Sequence, residues 1–366
     1  MQKRAIPGID FSVSVIGIGG HYRAIEEGDF EQRYAYVDWD VEYRTPIIEK
    51  AFAAGINYYD TTWRNEVDML GKVLARLGIR DKVFVNGMVL GAFSGSKASG
   101  QTPVQYFNKW LNQRLLMVPG NRFDSLMINA IEEDFDEVEC ENLVRLLEQR
   151  QKDGDFRIFG FSCHNVFHAR KVLDKFPEFR IVMIPYNFRN RAFELAFKDY
   201  VGNATFIAMK PLVWMEYGIP FCALNSLDKF EQLFGFPPDI YASARALKFI
   251  TNNPAITTAV CAVNSIDEVD AVISAGEGGY SVQDQLVLSM YNELQTIDDS
   301  IPLYVAARGY ANLRMNYFSA LHLSKKLGLV MPNIPLNQKD SFLMISEYAA
   351  SLDEVLKKGG YGRYLP

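Results

Sequence analysis

Short apolar runs alternate with helical patterns along most of the chain. Each run has the length, roughly four to eight residues, that is typical of strands buried on both faces of a parallel sheet. Helical spacing fills the gaps, as in residues 66–77, where Leu70, Val73, Leu74 and Leu77 share one face. The predicted strands are residues 13–17, 56–60, 83–89, 123–130, 158–163, 181–186, 204–210 and 257–263.

Two architectures fit this alternation of strands and helices. Eight strands, each followed by a helix, predict a closed (β/α)₈ barrel, the TIM barrel of the α/β class. A doubly wound open sheet is the rival architecture. Its usual G-x-G-x-x-G fingerprint is absent after the first strand, because Gly17, Gly19 and Gly20 have a different spacing. We therefore expect the barrel.

Several segments lie outside a minimal barrel. Residues 4–11 predict a small N-terminal hairpin, and long loops are expected over residues 21–42 and 213–238. The pattern is helical towards the C-terminus, which predicts a barrel over residues 1–280 and a C-terminal helical extension over residues 281–366. The helices expected in this extension are residues 282–298, 310–327 and 340–358.

The composition is that of an ordinary globular protein. Hydrophobic residues make up 49% of the chain and charged residues 22%, which argues against disorder. The net charge of −6 is not typical of a protein that binds nucleic acid or an anionic membrane. No apolar run is long enough to span a membrane, and the N-terminus lacks the apolar core of a signal peptide. The four cysteines are scattered, so we expect reduced thiols in a cytoplasmic protein.

A series of short motifs accompanies the predicted strands. They are VIGIGG at 15–20, AAGINYYDTT at 53–62, FGFSCHN at 159–165, IPYNFRNR at 184–191 and IAMKPL at 207–212. In the order and spacing of these motifs, the chain resembles the aldo/keto reductase family over residues 4–277. The resemblance implies a barrel that reduces a carbonyl or sugar-like substrate with NADP or NAD as its cofactor.

The same resemblance implies a catalytic tetrad of Asp, Tyr, Lys and His, in which the Tyr gives a proton to the carbonyl oxygen. Asp60 matches the Asp at the end of the second predicted strand. Asn65, Met88 and Asn129 stand where the family has the Tyr, the Lys and the His, so the tetrad is degenerate. A methionine cannot perturb a neighbour's pKa as a cation does. Asn129 can hydrogen-bond a substrate oxygen but cannot act as an acid.

Lys210 and Tyr186 are the candidates for restoring proton transfer. Lys210 ends an apolar predicted strand, where burial would lower the pKa of its amine unless the amine pairs with Asp60. Tyr186 ends the neighbouring predicted strand. One hypothesis therefore places Asp60, Lys210, Asn129 and Tyr186 in the catalytic site. The alternatives are that Lys210 extends to solvent and that Tyr186 belongs to a structural turn.

Other site residues are expected around the mouth of the barrel. Ser162 stands where the family binds the nicotinamide carboxamide, and Met209 replaces an aromatic residue that stacks on the ring. His164 either lines the pocket or caps the following helix. Asp267 and Glu268 leave the 2′-phosphate of NADP without an evident basic partner. The expected cofactor contacts are Ser162, Asn165, Met209, Pro211, Leu212 and Asn264, and the expected substrate contacts are His21, Trp63, Arg64 and His164.

Two other kinds of function stay open. The barrel could be a cofactor-independent isomerase, lyase or hydrolase, or a non-catalytic binding protein whose C-terminal helices form an interaction surface. The acidic residues in 132–136 could bind a metal, but such a run is more often a solvated loop. We therefore expect no metal. The C-terminal tail has none of the iron–sulfur cysteines that some longer reductases of the resembled family carry there, so we also expect no iron–sulfur cluster. The expected partners are a small-molecule substrate and a second copy of the chain bound through the C-terminal helices, without nucleic acid or membrane.

Overall fold

Eight parallel strands close into a barrel in the computed structural model, which describes residues 1–20, 41–132, 135–188, 190–212, 242–263 and 265–297. The strands follow one another around the barrel in chain order, and the last pairs with the first. The predicted (β/α)₈ barrel is confirmed, with small shifts in strand boundaries. The barrel strands are β3 (Ile16–Gly19), β4 (Tyr58–Thr61), β5 (Phe84–Leu90), β6 (Ser125–Asn129), β7 (Ile158–Ser162), β8 (Ile181–Pro185), β9 (Thr205–Met209) and β10 (Ile256–Ala262).

An antiparallel hairpin precedes the barrel, formed by β1 (Lys3–Ala5) and β2 (Ser12–Ser14). Val13 lies in this hairpin, and its side chain joins the apolar cluster of the barrel interior. The prediction of one strand over residues 13–17 is therefore wrong, because the chain bends at Val15 before β3 begins. The apolar pattern does not reveal this bend, since Val13 and Val15 are both buried.

Helices pack around the outside of the barrel. Those described are α1 (Val41–Ala53), α2 (Arg64–Leu77), α3 (Ser94–Ser99), α4 (Pro103–Leu115), α5 (Glu137–Lys152), α6 (Val166–Lys175), α7 (Ala192–Ala196), α8 (Ala242–Thr251), α9 (Ile266–Glu277) and α10 (Val282–Ile297). Their ends are set by local sequence. A capping box of Thr102 and Gln105 starts α4, and Gly78, in the left-handed conformation with φ 63°, ends α2.

Alternate residues of each strand face the barrel interior. Large apolar side chains fill this interior at the amino ends of the strands, and the rings of Tyr58 and Phe84 stack there with centroids 5.5 Å apart. The intervening residues, such as Tyr59 and Val85, belong to the cluster between the barrel and the helices. Because side chains alternate with a period of two, Asp60 faces the interior at the carboxyl end of β4.

Two glycines are required where the strands approach each other. A Cβ atom on Gly160 of β7 would lie 1.6 Å from the carbonyl oxygen of Ile181 in β8. A Cβ atom on Gly17 of β3 would lie 2.5 Å from the ring of Tyr58. Neither backbone nor a fully buried ring can move away cheaply, so both positions exclude a side chain.

The first helix of the predicted extension is present and packs against the barrel. Arg245 of α8 and Asp284 of α10 form an ion pair of 2.6 Å, with side chains only 2% and 4% exposed. Asp284 also accepts hydrogen bonds from the amide and hydroxyl of Ser281, which begins the helix. The predicted helix 282–298 is thus observed almost in full.

Other sequence expectations lie outside the described residues. They are the loop over 21–42 apart from its last two residues, the loop over 213–238, and the helices over 310–327 and 340–358. Within the described part of the chain, no helix combines the length and apolar character that a membrane span needs. The division into residues 1–280 and 281–366 stays a prediction.

We expect Asp284→Ala to lower the free energy of unfolding by about 3 kcal/mol, because it breaks a buried ion pair and removes a helix cap. Urea unfolding at pH 7 measures this. Asp68→Ala is the control, since Asp68 pairs with Lys72 on the exposed face of α2 and its loss should change stability by about 0.5 kcal/mol or less. Equal effects of the two substitutions would contradict the assignment.

The effect of Asp284 should also depend on pH. Burial raises the pKa of Asp284, but hydrogen bonds from Ser281 and the cations Lys248 and Arg245 outweigh it, and the net pKa is lowered. A lowered folded-state pKa gives stability that is complete above the unfolded value, near pH 4, and is lost as the pH falls through the folded value. The difference between wild type and Asp284→Ala should therefore shrink below about pH 4.

Candidate active site

The carboxyl ends of the parallel strands all lie at one end of the barrel. This end carries the active site in barrels of this architecture. The same strand faces that form the interior apolar cluster bring to this end Asp60 of β4, Met88 of β5, Asn129 of β6, Ser162 of β7 and Met209 of β9. The barrel thus assembles at its mouth five positions that are distant in sequence.

Two neutral polar side chains, Asn86 and Ser125, form a ladder of hydrogen bonds that ends at the Asp60 carboxylate. The amide of Asn86 donates to the Asp60 carboxylate at 2.6 Å, and the hydroxyl of Ser125 donates to the Asn86 carbonyl oxygen at 2.6 Å. Asn86 and Ser125 are fully buried. Sequence reasoning missed both, although each precedes a recognised interior position, Met88 or Asn129, by an even number of residues. Asp60 therefore has an amide partner on the strand where the family resemblance implies a lysine.

Met88 holds its neighbours in place. Its sulfur accepts contacts from the Thr62 hydroxyl at 3.7 Å and from the Asn129 amide at 3.4 Å. The side chain of Met88 is buried. The amide of Asn129 consequently lies beside Met88 at the barrel mouth.

The segment after β4 is fixed by two buried charges. The carboxylate of Glu66 accepts from the backbone amides of Thr62 at 2.6 Å and Trp63 at 3.0 Å. Arg114 of α4 donates to the Thr62 carbonyl oxygen at 3.0 Å. Trp63 is half-buried and Arg64 is exposed at the start of α2. Both expected substrate residues thus lie on the rim of the mouth.

Lys210 directly follows β9 with an unusual backbone. Its φ of 55° lies in the left-handed region, which a residue with a side chain rarely adopts. The amide of Asn187 donates to its carbonyl oxygen at 3.0 Å. Burial lowers the pKa of the Lys210 amine well below its usual value, and the carboxylate of Glu132 opposes part of this shift. Lys210 is half-buried at the mouth and does not simply extend into solvent.

Tyr186 does not face the barrel mouth. Ile181 and Met183 of β8 belong to the interior cluster, so Tyr186 has the opposite parity and packs between the barrel and the helices. Its hydroxyl donates to Glu194 at 2.7 Å and accepts from the amide of Asn253 at 3.1 Å. The pKa of Tyr186 is raised, mainly by burial. This placement corrects the hypothesis of Tyr186 as a proton donor, and we leave it out of the proposed site.

The two expected cofactor contacts at and after the end of β7 differ in the hydrogen bonds that their side chains make. The Ser162 hydroxyl is buried, and it has no hydrogen-bond partner among the described residues. The side-chain oxygen of Asn165 instead caps α6, accepting from the amides of Phe167 at 3.0 Å and His168 at 3.1 Å. Asn165, rather than His164, is therefore the helix cap.

His164 and Glu132 form a pair that the sequence did not predict. The imidazole Nδ1 of His164 lies 2.8 Å from a carboxylate oxygen of Glu132, and the His164 backbone amide donates to the same oxygen at 3.2 Å. Each side chain is 20% exposed. The expectation of a solvated loop is thus wrong for Glu132, because this carboxylate turns towards the barrel mouth.

Four expected site residues remain, the cofactor contacts Pro211, Leu212 and Asn264 and the substrate contact His21. Pro211 is buried and Leu212 packs against the outer apolar cluster, while His21 and Asn264 lie outside the described residues. At the start of α9, Ser265 accepts from the amide of Glu268 at 3.2 Å. Across the described ranges, no three His, Cys, Asp or Glu side chains are grouped closely enough to hold a metal ion.

We expect Asn86→Leu to lower the free energy of unfolding by about 1–3 kcal/mol. The substitution leaves buried polar groups of Asp60 and Ser125 without the amide that they contact. Urea unfolding measures the change. Asn142→Leu on the exposed face of α5 is the matched control, and we expect a change within about 0.5 kcal/mol. A stable Asn86→Leu variant would refute the ladder as the support of Asp60.

The comparisons with known proteins agree with this geometry. The sequence model of the aldo/keto reductase family matches residues 28–213, half of the chain. No curated protein sequence matches. A solved aldo-keto reductase of Bacillus halodurans, in its holo form, superposes with a TM-score of 0.59 at 17% identity, covering 80% of this chain and 96% of its own.

A second solved structure, an aldo-keto reductase of Klebsiella pneumoniae in complex with NADPH, gives a TM-score of 0.58 at 15% identity, covering 82% of this chain and 98% of its own. At these identities, the two structures establish a shared fold alone. The family match rests on the sequence itself, and with the closed barrel and its mouth it shows that the chain belongs to the aldo/keto reductase family of oxidoreductases.

Proposed function

We propose that the chain reduces the carbonyl group of a small molecule with a nicotinamide cofactor bound across the barrel mouth. The observation that carries this proposal is the buried Ser162 hydroxyl without a partner among the described residues. A buried hydroxyl is costly to leave unpaired. A nicotinamide carboxamide offers both a donor and an acceptor, and the family resemblance puts that group at Ser162.

Two other side chains at the barrel mouth support the same proposal. Met209 is half-buried against the interior cluster, where its flexible side chain can contact a flat ring. Asn129 presents an amide that can hydrogen-bond a substrate oxygen. The related reductase of Klebsiella pneumoniae was solved with NADPH. Ser162 and Met209 would therefore hold the nicotinamide, and Asn129 would orient the carbonyl group.

The phosphate end of the cofactor fits less well. The first turn of α9 carries the exposed carboxylates of Asp267 and Glu268, which repel a phosphate. Lys50 is nearby but pairs with Asp270 at 2.7 Å. The described residues therefore favour recognition through the nicotinamide half, and both NADPH and NADH must be tested.

We expect Ser162→Ala to weaken cofactor binding about tenfold, the loss of one hydrogen bond. Titration calorimetry and quenching of tryptophan fluorescence measure the dissociation constant. Ser289→Ala on the exposed face of α10 is the control and should leave binding unchanged. The proposal fails if wild-type protein binds neither NADPH nor NADH at millimolar concentration.

Lys210 favours a cofactor-independent lyase or isomerase as the second candidate function. A half-buried amine with a lowered pKa can add to a carbonyl carbon and lose water to form an imine. We expect this function, if present, to give a covalent adduct at Lys210 when pyruvate or dihydroxyacetone is reduced onto the protein with borohydride. Peptide mass spectrometry detects the adduct, and Lys210→Met is the control. An unmodified Lys210 in both reactions eliminates this candidate.

A further inference from the structure

The pair of His164 and Glu132 has no counterpart in the tetrad that the resemblance implies. The two residues follow the neighbouring strands β7 and β6 at the barrel mouth. The backbone amide of Ile131 donates to the Ser162 carbonyl oxygen at 3.0 Å, which ties the segment carrying Glu132 to the end of β7. His164 is thereby held two residues from Ser162 and close to the segment that begins at Asn129.

Glu132 is contacted from several sides. It accepts from both the ring and the backbone amide of His164, and the thiol of Cys163 lies 3.7 Å from its other oxygen. The charge of its carboxylate also opposes the lowering of the Lys210 pKa by burial, just after the end of β9. Among the described residues, Glu132 thus contacts His164 directly, and Lys210 and Cys163 are further titratable groups near its carboxylate.

One carboxylate therefore faces two basic side chains. A carboxylate at hydrogen-bond distance stabilises a protonated imidazole. Burial disfavours the charged form of Lys210, as its lowered pKa shows. His164 is therefore the member of this group whose protonated form Glu132 is placed to stabilise, with its Nδ1 2.8 Å from the carboxylate.

We propose that His164, held by Glu132, is the proton donor to the substrate carbonyl oxygen and takes the place of the absent tyrosine. This inference rests on the proposed carbonyl reduction. A bound reduced nicotinamide would supply a hydride to the carbonyl carbon, the electron pair of the C–O π bond would move to oxygen, and that oxygen would take the proton from Nε2 of His164. The imidazole is left neutral with Nδ1 bonded to Glu132, and water returns the proton.

Glu132 is a positioning residue in this scheme, so its test needs a readout other than rate. The chain has only four histidines, and ¹⁵N-detected imidazole spectra of the full chain can follow each one, with His164→Gln identifying its signal. We expect Glu132→Gln to lower the pH at which His164 titrates. Asp136→Asn removes a charge from the same segment, keeps a helix-capping side chain, and should leave that titration unchanged.

The second measurement separates this inference from the proposed function. Binding of NADPH and NADH is measured by calorimetry, and turnover is measured with 4-nitrobenzaldehyde. We expect His164→Gln to bind cofactor as wild type does and to reduce the aldehyde about 10²–10⁴-fold more slowly. Asp136→Asn should keep wild-type turnover.

The outcomes distinguish the two levels of the proposal. Turnover that survives His164→Gln overturns the role of His164 and leaves carbonyl reduction standing. A wild-type protein that binds neither cofactor overturns both. If cofactor binds but the aldehyde is not reduced, the imidazole titration decides: an unchanged midpoint in Glu132→Gln, or a His164 that is neutral from pH 5 to 9, overturns the inference.

Discussion

Closure of eight parallel strands into a barrel is the constraint on which the rest of the structure depends. In a closed barrel, every second side chain of each strand faces the same interior. Large apolar groups such as Tyr58 and Phe84 fill the amino-terminal part of that interior. The positions above them, including Asp60, Asn129 and Ser162, then meet at the mouth although they lie on different strands.

The same constraint places the amide of Asn86 next to the buried carboxylate of Asp60 on the neighbouring strand. A buried carboxylate needs hydrogen-bond donors, and the neutral ladder from Ser125 through Asn86 supplies one. Such a ladder stabilises Asp60 without activating a neighbouring acid as a lysine would. The groups able to move a proton, His164 and Lys210, instead sit on segments that follow the strands and share the carboxylate of Glu132.

The fold could be predicted because its signals are local. Short apolar runs, helical spacing and stop residues such as Gly78 gave eight strands in the right order, and the family motifs agreed with them. The bend at Val15 was missed because Val13 and Val15 are both apolar and both buried, in the hairpin and beside the barrel. Tyr186 was misplaced because its position at the end of a predicted strand does not show whether its side chain faces the barrel interior or the surrounding helices.

The sequence by itself determined the strand order and the identity of the residues at the strand ends, such as Asp60, Met88 and Asn129. Only the tertiary structure decided which side chains meet. Hydrogen bonds between residues of neighbouring strands, such as Asn86 with Asp60, depend on barrel register. The approach of Glu132 to His164 accompanies a backbone hydrogen bond from Ile131, after β6, to Ser162 at the end of β7. These contacts join residues tens of positions apart, and no local pattern encodes them.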